Sequence, residues 1–231
     1  MNNKTSKEAE ILYDKVGFGH EDLREVGELD SEVLSQLFEK LPQDLDGKVI
    51  LDAGGGAGLF SQMVLERGAE KVVLIDISSK MLNFAKKRKE EHQLDKLEIN
   101  KGDLLDTKFD SDSFDIILCI YALPHVSDIQ DAFKEFSRVL KEGGLVFLAS
   151  DFYTIDDMSL HGVKTNYKIG DVRLFGFAHT KDDYLQAINE NGLETQELFV
   201  VDDAKGLSID PSYEHKNKMQ IHTFGAVLYK Q

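Results

Sequence analysis

Six residues, Lys48-Val49-Ile50-Leu51-Asp52-Ala53, run directly into Gly54-Gly55-Gly56-Ala57-Gly58, and this junction restricts the possible folds more than any other stretch. The apolar run is too short for a helix and is followed by glycine, which reads as a buried parallel strand. Helical periodicity begins at Leu59. A glycine-rich turn at such a junction lets a ligand approach bare backbone and permits positive φ angles. The following helix aims its first amides at whatever sits on the turn. The stretch therefore predicts a strand, turn and helix that bind a nucleotide-type ligand.

From Lys48 onward, short apolar runs alternate with amphipathic segments, the pattern of a parallel α/β sheet. Strands are expected at 48–53, 71–76, 97–101, 114–120, 145–150, 193–202 and 219–229. Helices are expected at 59–67, 79–92, 127–140 and 181–190, with Ser78 or Ser79 capping the second. Two more, at 7–16 and 30–41, precede the first strand, with Ile11 and Leu12, then Val33, Leu34, Leu37, Phe38 and Leu41 at helical spacing. Residues 151–180 show no clear period, and a long irregular stretch inside a domain is usually functional. The polar stretch 203–218 is long enough for an antiparallel return. Nothing marks a domain boundary, so 1–231 is read as one domain, with the helices of 1–45 contributing to a cap.

Composition narrows the function. The chain of 231 residues has a formal net charge of -15, which repels phosphate backbones and anionic membrane surfaces and disfavours nucleic acid as a partner. No run approaches the ~18 apolar residues of a membrane span, and the N-terminus is too polar for a secretory signal. A cytoplasmic protein is expected. The single cysteine, Cys119, allows no internal disulfide and reads as a small buried apolar residue within a strand. The seven histidines show no i, i+4 ligand spacing, so no metal site is expected.

Spacing decides among nucleotides. A dinucleotide turn needs G-x-G-x-x-G, but the sixth position from Gly54 is Leu59. The segment Asp52-x-Gly54-x-Gly56-x-Gly58 instead resembles the first motif of the class I S-adenosylmethionine (SAM) dependent methyltransferases. Gly102-Asp103, Phe114-Asp115 and Arg138-Val139-Leu140-Lys141-Glu142-Gly143-Gly144 are similar in order to the later motifs of their small-molecule branch. Glu142 stands where that branch often has proline. The resemblance implies a Rossmann-like, doubly wound sheet of seven strands in the order 3-2-1-4-5-7-6, with strand seven antiparallel.

It also implies a SAM site at the carboxyl edge of the sheet. There Asp76 would accept hydrogen bonds from ribose hydroxyls and Asp103 from the adenine amino group, with Ile77 and Leu104 flanking the ring. Asp52, Ala53, Gly54, Gly56, Gly58 and Ile120 complete the expected cofactor contacts, with Asp52 steadying the turn and lending negative potential near the sulfonium. Each aspartate alone also suits an ordinary turn. It is their phase with the glycine turn that points to a cofactor.

The acceptor side is less defined. The stretch Ile120-Tyr121-Ala122-Leu123-Pro124-His125 lacks the Asn/Asp-Pro-Pro-aromatic of amide and exocyclic nitrogen methylation and the Pro-Cys of cytosine carbon methylation. A small-molecule acceptor is expected, with His125 the candidate base and Tyr121 lining the pocket. Structural roles compete for both: a histidine holding a loop carbonyl, an aromatic packed on helices. His20, Tyr153, His161, Tyr167 and His179 are expected near the same mouth, and residues 10–26 and 151–180 as a cover over strands one, four and five. Two alternatives stand beside an enzyme of this type. One is a SAM-binding module without catalysis; the other is an NAD-type oxidoreductase, which shares the acid after strand two but requires the missing glycine.

Overall fold

The computed structural model describes residues 3–16, 32–160, 162–169, 172–201, 207–209 and 218–231. Its strands are β1 (Val49–Ala53), β2 (Lys71–Asp76), β3 (Leu97–Lys101), β4 (Phe114–Ile120), β5 (Leu140–Ile155), β6 (Lys164–Ile169), β7 (Val172–Phe177), β8 (Leu193–Val201), β9 (Leu207–Ile209) and β10 (Met219–Lys230). Its α-helices are α1 (Asn3–Val16), α2 (Glu32–Lys40), α3 (Leu59–Glu66), α4 (Ser79–Glu91), α5 (Ile129–Val139) and α6 (Lys181–Glu190).

Seven strands form one sheet in the order β3-β2-β1-β4-β5-β10-β8. β1 is parallel to both β2 and β4, while β10 is antiparallel to β5 and β8. Numbered within this sheet alone, that is the expected 3-2-1-4-5-7-6 with an antiparallel seventh strand. Because alternate residues of a strand face opposite sides, the sheet carries two cores. Leu51 and Ala53 pack with Phe133, Phe136, Tyr184 and Ile188 of α5 and α6. Ile50 and Leu74 pack with Leu37, Val64, Leu82 and Ala85 of α2, α3 and α4. Cys119 lies in the first core, and burial pushes its thiol up to about 12, so it is a packing residue.

The stretch 151–180 departs from the expectation of irregular chain. β5 runs on to Ile155, a short turn of 3₁₀ helix spans Met158–Leu160, and β6 and β7 form an antiparallel hairpin joined by β9 from within 203–218. The reason is physical. Lys164, Asn166 and Lys168 alternate with Thr165, Tyr167 and Ile169, a short period-two run of strand-forming residues that the expectation of irregular chain overlooked. What commits it is the partner strand, whose Phe175 and Phe177 are buried.

β8 and β10 meet closely where Gly225 pairs with Phe199. A Cβ on Gly225 would lie 2.3 Å from the Phe199 ring. Gly225→Ala is expected to destabilise the fold by about 1–3 kcal/mol, the usual range for overpacking, as measured by urea unfolding of the variant against the parent chain.

Candidate functional site

Strand order reverses between β1 and β4, and open α/β sheets bind ligands beyond the carboxyl ends at such a point. β1 ends there in the glycine turn. Gly54 has φ 73° and Gly56 φ 54°, and a Cβ at Gly54 would sit 2.5 Å from that of Ala122, which follows β4. Larger residues are excluded from this position by sterics. Gly54 N and Gly55 N both donate to Ile75 O, at 2.9 and 3.0 Å, which folds the turn back over the end of β2. α3 then starts at Leu59 with no side chain capping it, leaving its first amides directed at the turn.

The acids expected at the strand ends occupy different depths. Asp52 is 1% exposed and accepts a 2.6 Å hydrogen bond from Ser61 Oγ. A Cβ on Gly55 would fall 2.6 Å from its Cγ, so the carboxylate lies beneath the turn as a support. Burial, and secondarily Asp76, push its carboxyl up to about 6 against the opposing bond from Ser61. Asp76 ends β2. Its Oδ1 accepts from Ser78 N at 2.8 Å and its Oδ2 from Gly56 N at 2.9 Å, and burial raises it to about 6 as well. Ser78 caps α4 by accepting from Met81 N at 3.2 Å. Asp103 stands beyond β3, accepting from Leu105 N at 3.0 Å. Ile77 and Leu104 are half-buried. Asp52, Ala53, the glycines, Asp76, Ile77, Asp103, Leu104 and Ile120 thus all lie at the carboxyl ends of four adjacent strands.

Beyond β4 the chain turns sharply. Tyr121 has φ 56°, an uncommon backbone conformation for an aromatic residue, and its amide donates to Ala149 O at 2.8 Å. Leu123–His125 then form a turn of 3₁₀ helix. His125 is 7% exposed. Its Nε2 lies 2.6 Å from Tyr13 Oη on α1, it meets the edge of Phe175 on β7, and burial lowers its imidazole to about 4. A hydrogen bond to the Phe175 backbone opposes that shift. Burial thus favours the neutral imidazole, whose Nε2 shares a hydrogen bond with the Tyr13 hydroxyl.

The expected cover sits differently from its expected place. α1 reaches β2 and β3 as well as the turn after β4: Glu10 pairs with Lys101 at 2.6 Å, and Asp14 accepts from Ser78 Oγ at 2.7 Å. Ala9, Phe175 and Phe177 form a small core with Leu12 and Ile77. Apolar burial decides this, since Ile77 is an exposed strand-end residue unless the helix and hairpin pack on it. His179 is buried with its Nε2 2.7 Å from Val126 O, next to His125, and Tyr153 is buried with Leu160, Ala178 and Met219. His20, His161 and the side chain of Tyr167 lie outside the described residues, as does 17–26 of the expected cover. Sequence reasoning missed Tyr13, Asp14, Ala122 and Phe175. The available signal was the face Ala9, Leu12, Tyr13 and Val16 at helical spacing in 7–16. Among the described residues, no group of three His, Cys, Asp or Glu side chains is placed to hold a metal ion, and no helix is long and apolar enough to cross a membrane.

The strand order, glycine turn and row of strand-end acids together define the class I methyltransferase fold. Residues 51–148 match the family model described as a methyltransferase domain. Among curated proteins it is 35% identical over 106 residues to the ubiquinone biosynthesis O-methyltransferase of Coxiella burnetii (strain Dugway 5J108-111), covering 46% of this chain and 44% of that protein. It is 40% identical over 98 residues to the demethylmenaquinone methyltransferase of Tropheryma whipplei (strain Twist), covering 42% of this chain and 39% of that one. The matched segment therefore spans less than half the length of these relatives. Among solved structures, a geranyl diphosphate C-methyltransferase from Streptomyces coelicolor A3(2), in complex with Mg2+, geranyl diphosphate and S-adenosyl-L-homocysteine, is similar with a TM-score of 0.76. There the identity is 17%, and the likeness covers 100% of both chains.

The buried acid beneath the turn carries a stability consequence. A carboxyl raised in the folded state favours folding below its unfolded value near 3.8, and that contribution is lost as pH rises through about 6. Between pH 4.5 and 7.5 the stability of Asp52→Asn relative to the parent chain is expected to shift in the variant's favour by about 1–3 kcal/mol, read from denaturant unfolding at both pH values.

Proposed function

We propose that the protein is a SAM-dependent methyltransferase acting on a small organic acceptor. The observation that carries this reading is the donor and acceptor set at the switch point: a partly buried carboxylate at the end of β2, uncapped helix amides behind a glycine turn, and apolar side chains on either side. These residues fit an adenosyl cofactor. Asp76 would accept from the ribose hydroxyls and Asp103 from the adenine amino group, Ile77 and Leu104 would flank the ring, and Gly54, Gly56 and Gly58 with Ala53 and Ile120 would border the amino-acid end. Asp52 acts from below by holding the turn.

SAM supplies a methyl group already activated for transfer, so the chain's task is to orient an acceptor atom about 3 Å from that carbon and to keep water out. α1 and the β6–β7 hairpin form the cover that excludes water. Tyr121 and His125 border the acceptor side. His125, held neutral by burial, is in the protonation state of a base, and it takes a proton from the acceptor once Tyr13 yields Nε2. Its low basicity assigns most of the rate to positioning. The names of the relatives favour a phenol, quinol or isoprenoid acceptor, and the net charge favours neutral or cationic molecules over nucleic acid.

Isothermal titration with SAM, S-adenosylhomocysteine and NAD tests the cofactor. Tight binding of the first two and none of NAD is expected, and the reverse result ends the methyltransferase reading. Turnover of SAM with phenolic and quinol acceptors then separates an enzyme from a module that only binds. Asp76→Ala is expected to weaken SAM binding by roughly 1.5–3 kcal/mol, the range for loss of a charged hydrogen-bond acceptor. An unchanged affinity in the folded variant removes Asp76 from the site. Affinity should also fall as pH drops through about 6, where the Asp76 carboxylate takes up its proton.

A further inference from the structure

Two consecutive residues of α1 reach opposite sides of the cradle. Asp14 Oδ1 accepts hydrogen bonds from Ser78 Oγ at 2.7 Å and Lys80 N at 3.1 Å. Ser78 gives its own amide to Asp76, and Asp76 accepts from Gly56 N. That path ends on the glycine turn. Tyr13 Oη meets His125 Nε2 at 2.6 Å, the His125 amide donates to Ala122 O at 3.2 Å, and Ala122 lies against Gly54. The second path ends on the same turn, two residues away. Tyr13, His125, Ala122, Gly54, Gly56, Asp76, Ser78 and Asp14 thus follow one another around a ring, with α1 closing it opposite the glycines.

Other contacts of α1 are of a different kind. Glu8 with Lys164 and Glu10 with Lys101 are ion pairs whose lysines are 44% and 48% exposed, a kind that contributes little to stability. Ala9 and Leu12 pack on Phe175, Phe177 and Ile77, which seats the helix by apolar contact over the turn after β2. Consecutive helical residues point about 100° apart, so one helix can hold two turns at once.

We propose that Tyr13 and Asp14 are positioning residues that brace the two halves of the cofactor cradle, Asp14 acting through Ser78 on the ribose half and Tyr13 acting through His125 on the methyl half. The proposal rests on the SAM reading of the site. It differs from a simple cover, because a cover would lose both halves together whichever contact were cut.

Adenosine and S-adenosylhomocysteine separate the halves, since adenosine fills only the first. Titration of both probes into the parent chain, Tyr13→Phe and Asp14→Ala is the test. Loss of one hydrogen bond corresponds to about a three- to tenfold change in affinity. Tyr13→Phe is expected to weaken S-adenosylhomocysteine by that factor and leave adenosine unchanged; Asp14→Ala, which removes the acceptor of Ser78 and Lys80, should weaken both probes equally. Amide hydrogen exchange without any ligand gives the second reading. Tyr13→Phe should speed exchange at His125 and Val126, and Asp14→Ala at Met81 and Leu82, each sparing the other pair. If either variant loosens both segments and both probes alike, or neither variant has any effect, the brace is wrong. If the parent chain binds neither probe, the SAM reading fails, and the brace of that cradle with it; the exchange pattern then reports only whether the two paths are separate.

Discussion

Gly54 can lie against the Ala122 methyl only because it has none of its own, and the architecture of the site follows from that approach. β1 and β4 are neighbours in the sheet, but their outgoing chains leave toward opposite faces. The crevice between them stays narrow at its base because a bare backbone meets a small side chain there. Tyr121 contributes to the same closure with its positive φ. Such a conformation costs on the order of 1–3 kcal/mol and is kept only where surrounding contacts hold it. Here the amide of Tyr121 is tied to β5 at Ala149 O.

Most of the base of the molecule was legible in the sequence. The run Lys48–Ala53 and the glycines after it, the apolar strands at 71–76 and 114–120, and Ser78 as a cap all signal themselves through local pattern. The depth of each aspartate did not. Asp52 and Asp76 read identically as acids at strand ends, yet one lies under the turn with Ser61 and the other lies beside it facing Gly56 and Ser78. Which face a strand residue takes follows from the pleat, but what it finds there depends on α3 and α4. The cap was the least legible part. Its hairpin is held by Phe175 and Phe177 packing on residues of α1 more than 160 positions earlier. No window along the chain contains that contact.

Charge is distributed by depth as well. The chain carries a large negative excess, but the two carboxyls nearest the glycine turn are drawn toward neutrality by burial. Outside the cradle the opposite holds: Glu10, Asp14 and Asp115 are lowered by lysines, hydroxyls and amides.

β5 and β10 continue past the point where β4 stops. From Asp151 to Ile155, β5 is paired with β10 over the register Thr223 to Met219, and Phe152 stacks on His222 across the pair. Two-stranded ribbons twist more than broad sheets. The cap strands are carried near the far end of this ribbon, where Tyr153 and Met219 pack with Leu160 and Ala178. A change of twist along five residue pairs swings that end as a lever swings its tip, while the glycine turn, anchored on β1 two strands from β5, stays still. Related chains can thus reshape the room above the sheet by altering ribbon residues alone, and leave the floor as it was.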